Sequence, residues 1–239
     1  MSRRSRLSTI TRAMRVIVGT SGYSYKEWKG TFYPDDLPAS RMLSFYAQHF
    51  GAVEINNTFY RMPSEALVKK WASEVPDGFT FILKAPSWIE YRASTEVVGK
   101  FFDIASALGS KLGPALFRRH KSDGLREFLA LVPKERRVCV ELRDVPSVDE
   151  DVLNALREHD AALCIADTDD AEDPLVATAS WGYLRLRRTD YSKKQLAAWA
   201  KRIAAQPWSH AYVFFKHEDE GKGPLFAKRF LALLGNDPH

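Results

Sequence analysis

Eight short apolar runs alternate along the chain with segments whose apolar residues recur every three to four positions. The runs are apolar on both faces, which is typical of parallel strands covered by helices. They are Val16–Gly19, Ala52–Ile55, Phe79–Leu83, Ala115–Phe117, Val138–Leu142, Ala161–Ala166, Tyr183–Leu186 and Tyr212–Phe215. This alternation predicts an α/β fold with a mostly parallel sheet. Eight strands favour closure into a single (β/α)8 TIM-type barrel over an open doubly wound sheet.

The segments between the runs have helical spacing and helix start signals. Leu67, Val68 and Trp71, for instance, share a face after Ser64. The predicted helices are Ser40–Phe50, Ser64–Glu74, Thr95–Leu108, Gly124–Val132, Val148–His159, Ser192–Ala205 and Leu225–Leu234. The connection from Asp167 to Ser180 is loop-like, so we expect an irregularity near the sixth unit. No linker or repeat interrupts the pattern, which predicts one domain over residues 15–235 and a short tail over 236–239.

The formal net charge of +5 comes from the first residues of the chain. Residues 1–15 contain five arginines and no acidic residue, which leaves 30 basic and 30 acidic residues in the rest. The overall basicity therefore does not by itself indicate a nucleic-acid partner. We interpret residues 1–14 as a disordered basic leader, or as the result of a start codon assigned upstream of the true one at Met14. Both interpretations are preferred to an organelle-targeting segment.

The apolar stretches and the cysteines also indicate the cellular compartment of the protein. No apolar stretch approaches the roughly 20 residues that cross a bilayer, so no membrane association is expected. The two cysteines, Cys139 and Cys164, each lie inside a strand-like run, where free buried thiols are typical of a reducing compartment. These features predict a cytoplasmic protein.

Two segments of the chain resemble a known family. Residues 19–34 (GTSGYSYKEWKGTFYP) and 53–64 (VEINNTFYRMPS) are similar to the YecE-like proteins, which form domain of unknown function 72. Further similarity lies in Leu112–Phe117, Glu141–Arg143 and Phe214–Glu220, and the likeness spans most of the chain. The resemblance implies a TIM-barrel-like fold but no reaction. The chain departs from the family pattern at Arg118–Lys121 and at Asp144–Val148.

Most of the predicted strands stop on a charged or amide residue. In an α/β barrel the strand C-termini form the catalytic face, so these side chains should meet at one mouth. Glu54 and Asn56 are two residues apart and share a face of their strand, as do Glu141 and Arg143. The candidate catalytic residues are Glu54, Glu141, Asp167 and Lys84. Glu54 and Glu141 are a general base and acid if their environments separate their pKa values, while Lys84 pairs with a carboxylate or, alternatively, forms a Schiff base.

Cations outnumber acids at this predicted mouth, which favours a ligand that carries phosphate or carboxylate. Hydroxyl and amide donors after the first two strands would add hydrogen bonds, and aromatic side chains would stack on a ring. The candidate substrate-binding residues are Thr20, Ser21, Tyr23, Trp28, Asn56, Tyr60, Arg143, Arg185 and Lys216. The competing interpretation is a structural salt-bridge cluster that fills the top of the barrel.

The sequence leaves the reaction open. The favoured hypothesis is an enzyme that uses acid/base chemistry on an anionic small molecule, through hydrolysis, phosphodiester cleavage or sugar-phosphate isomerisation. The alternative is a non-catalytic module that binds an anionic metabolite or single-stranded nucleic acid. No cofactor is expected. A divalent-metal site built from Glu54, Glu141, Asp167 and His217 is a minor alternative, and the sequence makes no prediction of oligomeric state.

Overall fold

The computed structural model describes residues 14–143, 148–216 and 219–235. These residues contain eight parallel strands in the order β3-β2-β1-β8-β7-β6-β5-β4. The strands are β1 Arg15–Ser21, β2 Ala52–Ile55, β3 Thr80–Leu83, β4 Ala115–Arg119, β5 Val138–Leu142, β6 Ala162–Asp167, β7 Gly182–Leu186 and β8 His210–Phe215. All eight predicted strands are confirmed.

The two ends of the strand order meet, which makes the sheet a nearly closed barrel. β3 and β4 share parallel bridges between Phe81 and Leu112 and between Lys84 and Leu116. The amide of Ala85 donates to the carbonyl of Leu116 at 2.8 Å, and the amide of Gly113 donates to the carbonyl of Phe81 at 2.8 Å. The predicted (β/α)8 TIM-like barrel is therefore confirmed.

Helices alternate with the strands and pack on the outside of the barrel. They are α1 Met42–Tyr46, α2 Glu65–Ser73, α3 Ile89–Arg92, α4 Thr95–Ala105, α5 Leu125–Ala130, α6 Glu150–Glu158, α7 Lys193–Ala204 and α8 Lys222–Leu233. Ser64, Ser94, Asp149 and Ser192 each cap a helix by accepting a hydrogen bond from the third backbone amide. Ser192 and Gln195 form a full capping box at the start of α7.

The sixth unit lacks a helix, as the loop-like composition of residues 168–181 predicts. Hydrogen bonds fix this connection instead. The Thr178 hydroxyl donates to the carbonyl of Ala161 at 2.8 Å and accepts from the amide of Leu163 at 2.8 Å. The irregularity leaves the barrel order intact, because β6 and β7 still pair from Cys164–Tyr183 to Asp167–Leu186.

The barrel interior is built in layers. The inner cluster is apolar and contains Ala52, Ile82, Leu116, Cys139, Ala162, Cys164, Trp181, Tyr183, Tyr212 and Phe214. Both cysteines are free and buried, as predicted. A separate and larger apolar core fills the space between the strands and the helices. The layer above the inner cluster, at the C-terminal ends of the strands, is charged.

Among the described residues, every helix is too short or too polar to pass through a lipid bilayer.

Candidate functional site

Strand alternation places the charged layer inside the barrel. Successive side chains of a strand point to opposite faces, so a residue two positions beyond an inward side chain also points inward. Ala52, Ile82, Cys139 and Tyr183 belong to the inner cluster. The residues two positions further along these strands are Glu54, Lys84, Glu141 and Arg185.

Arg185 is the centre of this layer. Its side chain is buried, and its guanidinium donates through Nη1 to Glu141 Oε1 at 2.6 Å and through Nη2 to Glu54 Oε1 at 2.9 Å. The hydroxyl of Tyr183 donates to the other oxygen of Glu54 at 2.6 Å. Charge-assisted bonds of this length are among the stronger hydrogen bonds in proteins. They hold Glu54 beneath the mouth, where it has no exposed surface.

Lys84 completes the pairing of Glu141. Lys84 Nζ donates to Glu141 Oε2 at 2.9 Å, and Arg187 Nη1 lies 3.6 Å from Glu141 Oε1. The ammonium also lies over the ring of Phe59, 4.7 Å from its centroid. The Lys84–Glu141 pair is thus a buried ion pair that shares its carboxylate with Arg185.

The pairing decides the charge of the two carboxylates. Burial alone would raise the pKa of Glu54 and of Glu141, but the neighbouring Arg185 and Lys84 outweigh burial and hold both pKa values below the ordinary glutamate value. Burial, followed by the charge of Arg185, lowers the pKa of Lys84. Both carboxylates are therefore ionised at neutral pH. The prediction of a general acid and a general base required the pKa values of Glu54 and Glu141 to shift in different directions. The two environments instead lower both pKa values.

A cavity of about 340 Å³ opens above this layer at the C-terminal mouth of the barrel. Among the residues that the structure describes, its lining contains six basic side chains and one carboxylate, that of Glu141. The lining residues are Tyr25, Asn56, Asn57, Phe59, Tyr60, Lys84, Arg118, Glu141, Arg143, Arg185, Arg187 and Lys216. The mouth is thus strongly cationic even when the buried Glu54 is included.

Hydrogen-bond donors without acceptors concentrate at the same place. Seven buried side-chain N or O atoms of the described residues have no hydrogen-bond partner, and four of them belong to residues that line the mouth. These four are Asn56 Nδ2, Arg118 Nε, Arg185 Nε and Arg187 Nη1. Each of these atoms carries a proton that it can donate. Buried donors are normally satisfied, so this concentration indicates a place for acceptor atoms.

The structure brings most of the predicted site residues together. Glu54, Lys84, Glu141 and Arg185 form the charged layer, and Ser21 faces Glu54 across the β1–β2 register. The cavity lining includes five of the predicted binding residues, which are Asn56, Tyr60, Arg143, Arg185 and Lys216. Their roles remain predictions.

Asp167 lies elsewhere, contrary to its predicted place in the mouth. In the β6–β7 register Ala166 faces Arg185 and Asp167 faces Leu186, so Asp167 points outward when Arg185 points inward. Its carboxylate accepts from Trp199 Nε1 at 3.0 Å, from the Tyr191 hydroxyl at 2.8 Å and from Arg188 Nε at 2.6 Å. These contacts tie the end of β6 to α7.

Three predicted binding residues of β1 and the connection that follows it are also outside the mouth. The Thr20 hydroxyl donates to the carbonyl of Gly22 at 2.6 Å, and the Thr20 amide donates to the Tyr46 hydroxyl at 2.8 Å. Trp28 is 1% exposed and packs among other aromatic rings of the same connection. The ring of Tyr23 lies 6.3 Å from that of Tyr46 between centroids, and burial, followed by the charge of Glu74, raises the pKa of Tyr23 to about 12. Such an aromatic cluster is core packing.

Several lining residues were not selected from the sequence. Arg187 shares the face of Arg185, as strand parity predicts, and the same parity relates Arg118 to the inward Leu116 and could have identified it. Phe59 supports this side of the mouth, because the guanidinium of Arg118 lies 4.2 Å from its ring centroid. Nothing in the pattern distinguishes Phe59 from a core residue.

The metal alternative finds no ligand set in the part of the chain that the structure describes. No group of three or more His, Cys, Asp or Glu side chains there is arranged to hold an ion. Glu54 and Glu141 are committed to Arg185, Asp167 lies on the outer face, and His217 is outside the described residues.

Comparison with known proteins places the chain in one family, whose model matches all but its first residues. A family model described as "Protein of unknown function DUF72" matches residues 17–239. The UPF0759 protein YecE of Escherichia coli strain K12 is 32% identical over 111 residues, which cover 42% of this chain and 41% of YecE. The UPF0759 protein YunF of Bacillus subtilis strain 168 is 30% identical over 70 residues, or 29% of this chain and 24% of YunF. The matched segments thus span less than half the length of these curated relatives.

Two solved structures share the fold. A DUF72 family protein from Thermotoga maritima has a TM-score of 0.81 at 23% identity, covering 92% of this chain and 99% of that protein. A DUF72 family protein from Enterococcus faecalis has a TM-score of 0.73 at 18% identity, covering 94% of this chain and 99% of that protein.

Proposed function

We propose that this chain, which belongs to the DUF72 family of proteins of unknown function, binds a phosphate- or carboxylate-bearing small molecule in the cationic mouth of its barrel. One observation carries the proposal: the side chains of Asn56, Arg118 and Arg187 line one cavity, and each has a buried donor nitrogen without an acceptor among the described residues. An oxyanion supplies several acceptor atoms at once, and arginine matches its geometry.

Charge balance supports an anion over a neutral ligand. Glu54 and Glu141 together pair with Arg185 and Lys84. No carboxylate of the described residues forms an ion pair with Arg118 or Arg143. Isolated cations grouped in a cavity repel one another, and a bound anion relieves that repulsion. A purely structural salt-bridge cluster would need no such surplus of positive charge.

We also propose that Lys84 is the acid/base group of the site. Lys84 and Glu141 form a titratable pair at the floor of the cavity. Burial and Arg185 make the ammonium of Lys84 a stronger acid than an ordinary lysine, whereas the ionised Glu141 orients it. Glu54 would act as a positioning residue, because it contacts Arg185 and Tyr183 and has no access to the cavity.

Calorimetry with inorganic phosphate, pyrophosphate and citrate tests the binding proposal. Arg118→Gln and Arg143→Gln should each weaken binding of the preferred anion by roughly tenfold or more, since a charge-assisted hydrogen bond contributes about 1.5–3 kcal/mol. Neither substitution leaves a carboxylate without its partner, because no carboxylate of the described residues forms an ion pair with either arginine. The control is Lys201→Gln, which removes the same charge from the exposed surface of α7. Equal affinities in all four proteins, or no binding of any of the three anions, would contradict the proposal.

A screen for hydrolysis and isomerisation of phosphate esters tests the catalytic part. Lys84→Met should abolish any turnover that the unaltered protein shows, while Glu141 keeps Arg185 as a partner. Turnover by Lys84→Met at the original rate refutes the assignment of Lys84. Anion binding without turnover in the unaltered protein would favour the non-catalytic module.

A further inference from the structure

Exposed aromatic side chains form a patch beside the mouth. Of the large apolar residues that the structure describes, only Tyr60, Trp88, Tyr91 and Leu225 are exposed. Tyr60 and Tyr91 are 80% and 74% exposed, and Trp88 is 36% exposed. The three aromatic residues all belong to the connections that follow β2 and β3, which are consecutive at the active face. Exposed aromatic residues on neighbouring connections at one end of the barrel indicate a binding surface.

Backbone contacts hold the aromatic patch together. The amide of Ser87, next to Trp88, donates to the carbonyl of Phe59, next to Tyr60, at 2.9 Å. The amide of Tyr91 donates to the carbonyl of Trp88 at 3.2 Å, so these two residues are one helical turn apart and lie on one side.

The aromatic patch is continuous with the cationic cavity. Tyr60 lines the cavity and packs edge-on against Phe59 at 5.5 Å between ring centroids. The guanidinium of Arg118 lies over the same Phe59 ring, 4.2 Å from its centroid. Phe59 therefore joins the aromatic surface to the basic one.

The charges around the aromatic patch are mainly positive. Arg61 and Arg92 are exposed beside Tyr60 and Tyr91 in the sequence. The one carboxylate within the same turn, Glu90, is buried and accepts from the backbone amide and the ring Nδ1 of His120. Its charge is therefore engaged and does not face the aromatic surface as a free anion.

From this combination we infer that the protein binds single-stranded nucleic acid, with a phosphate in the mouth and the adjoining bases on Tyr60, Trp88 and Tyr91. The inference rests on the proposed anion site and extends it to a ligand class. Unpaired bases offer flat faces to aromatic side chains, whereas the bases of a duplex are stacked on each other. Trp28 of the first connection cannot serve this purpose, because it is buried, as are Phe32 and Tyr33 beside it.

Fluorescence anisotropy with a 3′-labelled, 5′-phosphorylated oligothymidylate tests the inference. Trp88→Ala and Tyr91→Ala should each weaken binding by about fivefold or more, which corresponds to a stacking contribution of at least about 1 kcal/mol per base. The matched control is Leu225→Ala, which removes an exposed apolar side chain from α8. A duplex of the same length should bind more weakly than the single strand.

The outcomes separate this inference from the anion proposal. Phosphate binding that is normal in Tyr91→Ala, together with oligonucleotide affinity equal to that of Leu225→Ala, overturns the inference and leaves the anion site in place. Loss of both phosphate and oligonucleotide binding in Arg143→Gln supports the link between the two. If light scattering shows a dimer that Tyr91→Ala dissociates, the aromatic patch joins two copies of the chain and the inference is wrong.

Discussion

Replacing Arg185 with methionine tests the view that the charged layer is one interdependent unit. Methionine has a similar length but no charge, so Arg185→Met leaves Glu54 and Glu141 in place and removes the guanidinium that joins them. Glu141 keeps Lys84 at 2.9 Å and Arg187 at 3.6 Å. Glu54 keeps two neutral donors, the Tyr183 hydroxyl at 2.6 Å and the Ser21 hydroxyl, but loses its cationic partner. The damage therefore falls mainly on Glu54.

The expected loss in the free energy of unfolding is about 3–5 kcal/mol at pH 7, the cost of leaving a buried charge without its partner. This is a large part of the roughly 5–15 kcal/mol that stabilises a typical native protein. Urea unfolding followed by tryptophan fluorescence measures it. The control is Arg157→Met, which removes an ion pair to Glu150 between two largely exposed side chains. That change should cost about 1 kcal/mol or less.

The pH dependence of the free energy of unfolding gives a second test of the same substitution. In the unaltered protein the folded pKa values of Glu54 and Glu141 lie below those of the unfolded chain. Their contribution is therefore fully present above the unfolded value of about 4.3 and is lost as pH falls through the folded values. In Arg185→Met, burial should raise the pKa of Glu54, so protonation relieves the penalty and the gap between the two proteins should narrow towards pH 4. A loss of less than about 1 kcal/mol at pH 7, or a gap that widens on acidification, would refute the reasoning.

Two further substitutions test the residues that the structure moves out of the mouth. Asp167→Ala should destabilise the fold by about 2–4 kcal/mol, because it leaves the buried donors of Trp199 and Tyr191 unpaired, yet it should not change phosphate affinity. A selective loss of phosphate binding in calorimetry, with unfolding unchanged, would return Asp167 to the site. Trp28→Ala should cost about 3–5 kcal/mol in urea unfolding, as expected for a fully packed tryptophan. Its oligonucleotide affinity should equal that of the unaltered protein in anisotropy, and a weakened complex would show that Trp28 stacks on the ligand.

Strand parity explains what could be predicted from the sequence. Glu54, Glu141 and Arg185 each lie inside an apolar run, so their spacing from inward neighbours identifies the face on which they lie. Asp167 ends a run, Ala161–Ala166, that is apolar at every position and carries no alternation. The direction of Asp167 became clear only from the register that pairs Ala166 with Arg185.

The aromatic residues show the limit of composition. Trp28 and Tyr60 both follow a strand in an aromatic-rich connection, but Trp28 is 1% exposed and Tyr60 is 80% exposed. The difference arises from tertiary packing, because Trp28 is enclosed by Tyr25, Phe32 and Tyr33. No periodicity in the sequence encodes that enclosure. The lowered pKa values of Glu54 and Glu141 likewise depend on tertiary structure, because Arg185 contacts them across 131 and 44 positions of the chain.

The central claim is that the surplus cations of the barrel mouth hold an anion. A crystal structure determined in the presence of inorganic phosphate tests it most directly. We expect a phosphate in the cavity with oxygens about 2.7–2.9 Å from the guanidinium nitrogens of Arg118, Arg143 or Arg187, and its loss in Arg143→Gln crystals grown under the same conditions. A mouth that holds no phosphate under conditions where calorimetry detects phosphate binding would show that the anion binds elsewhere.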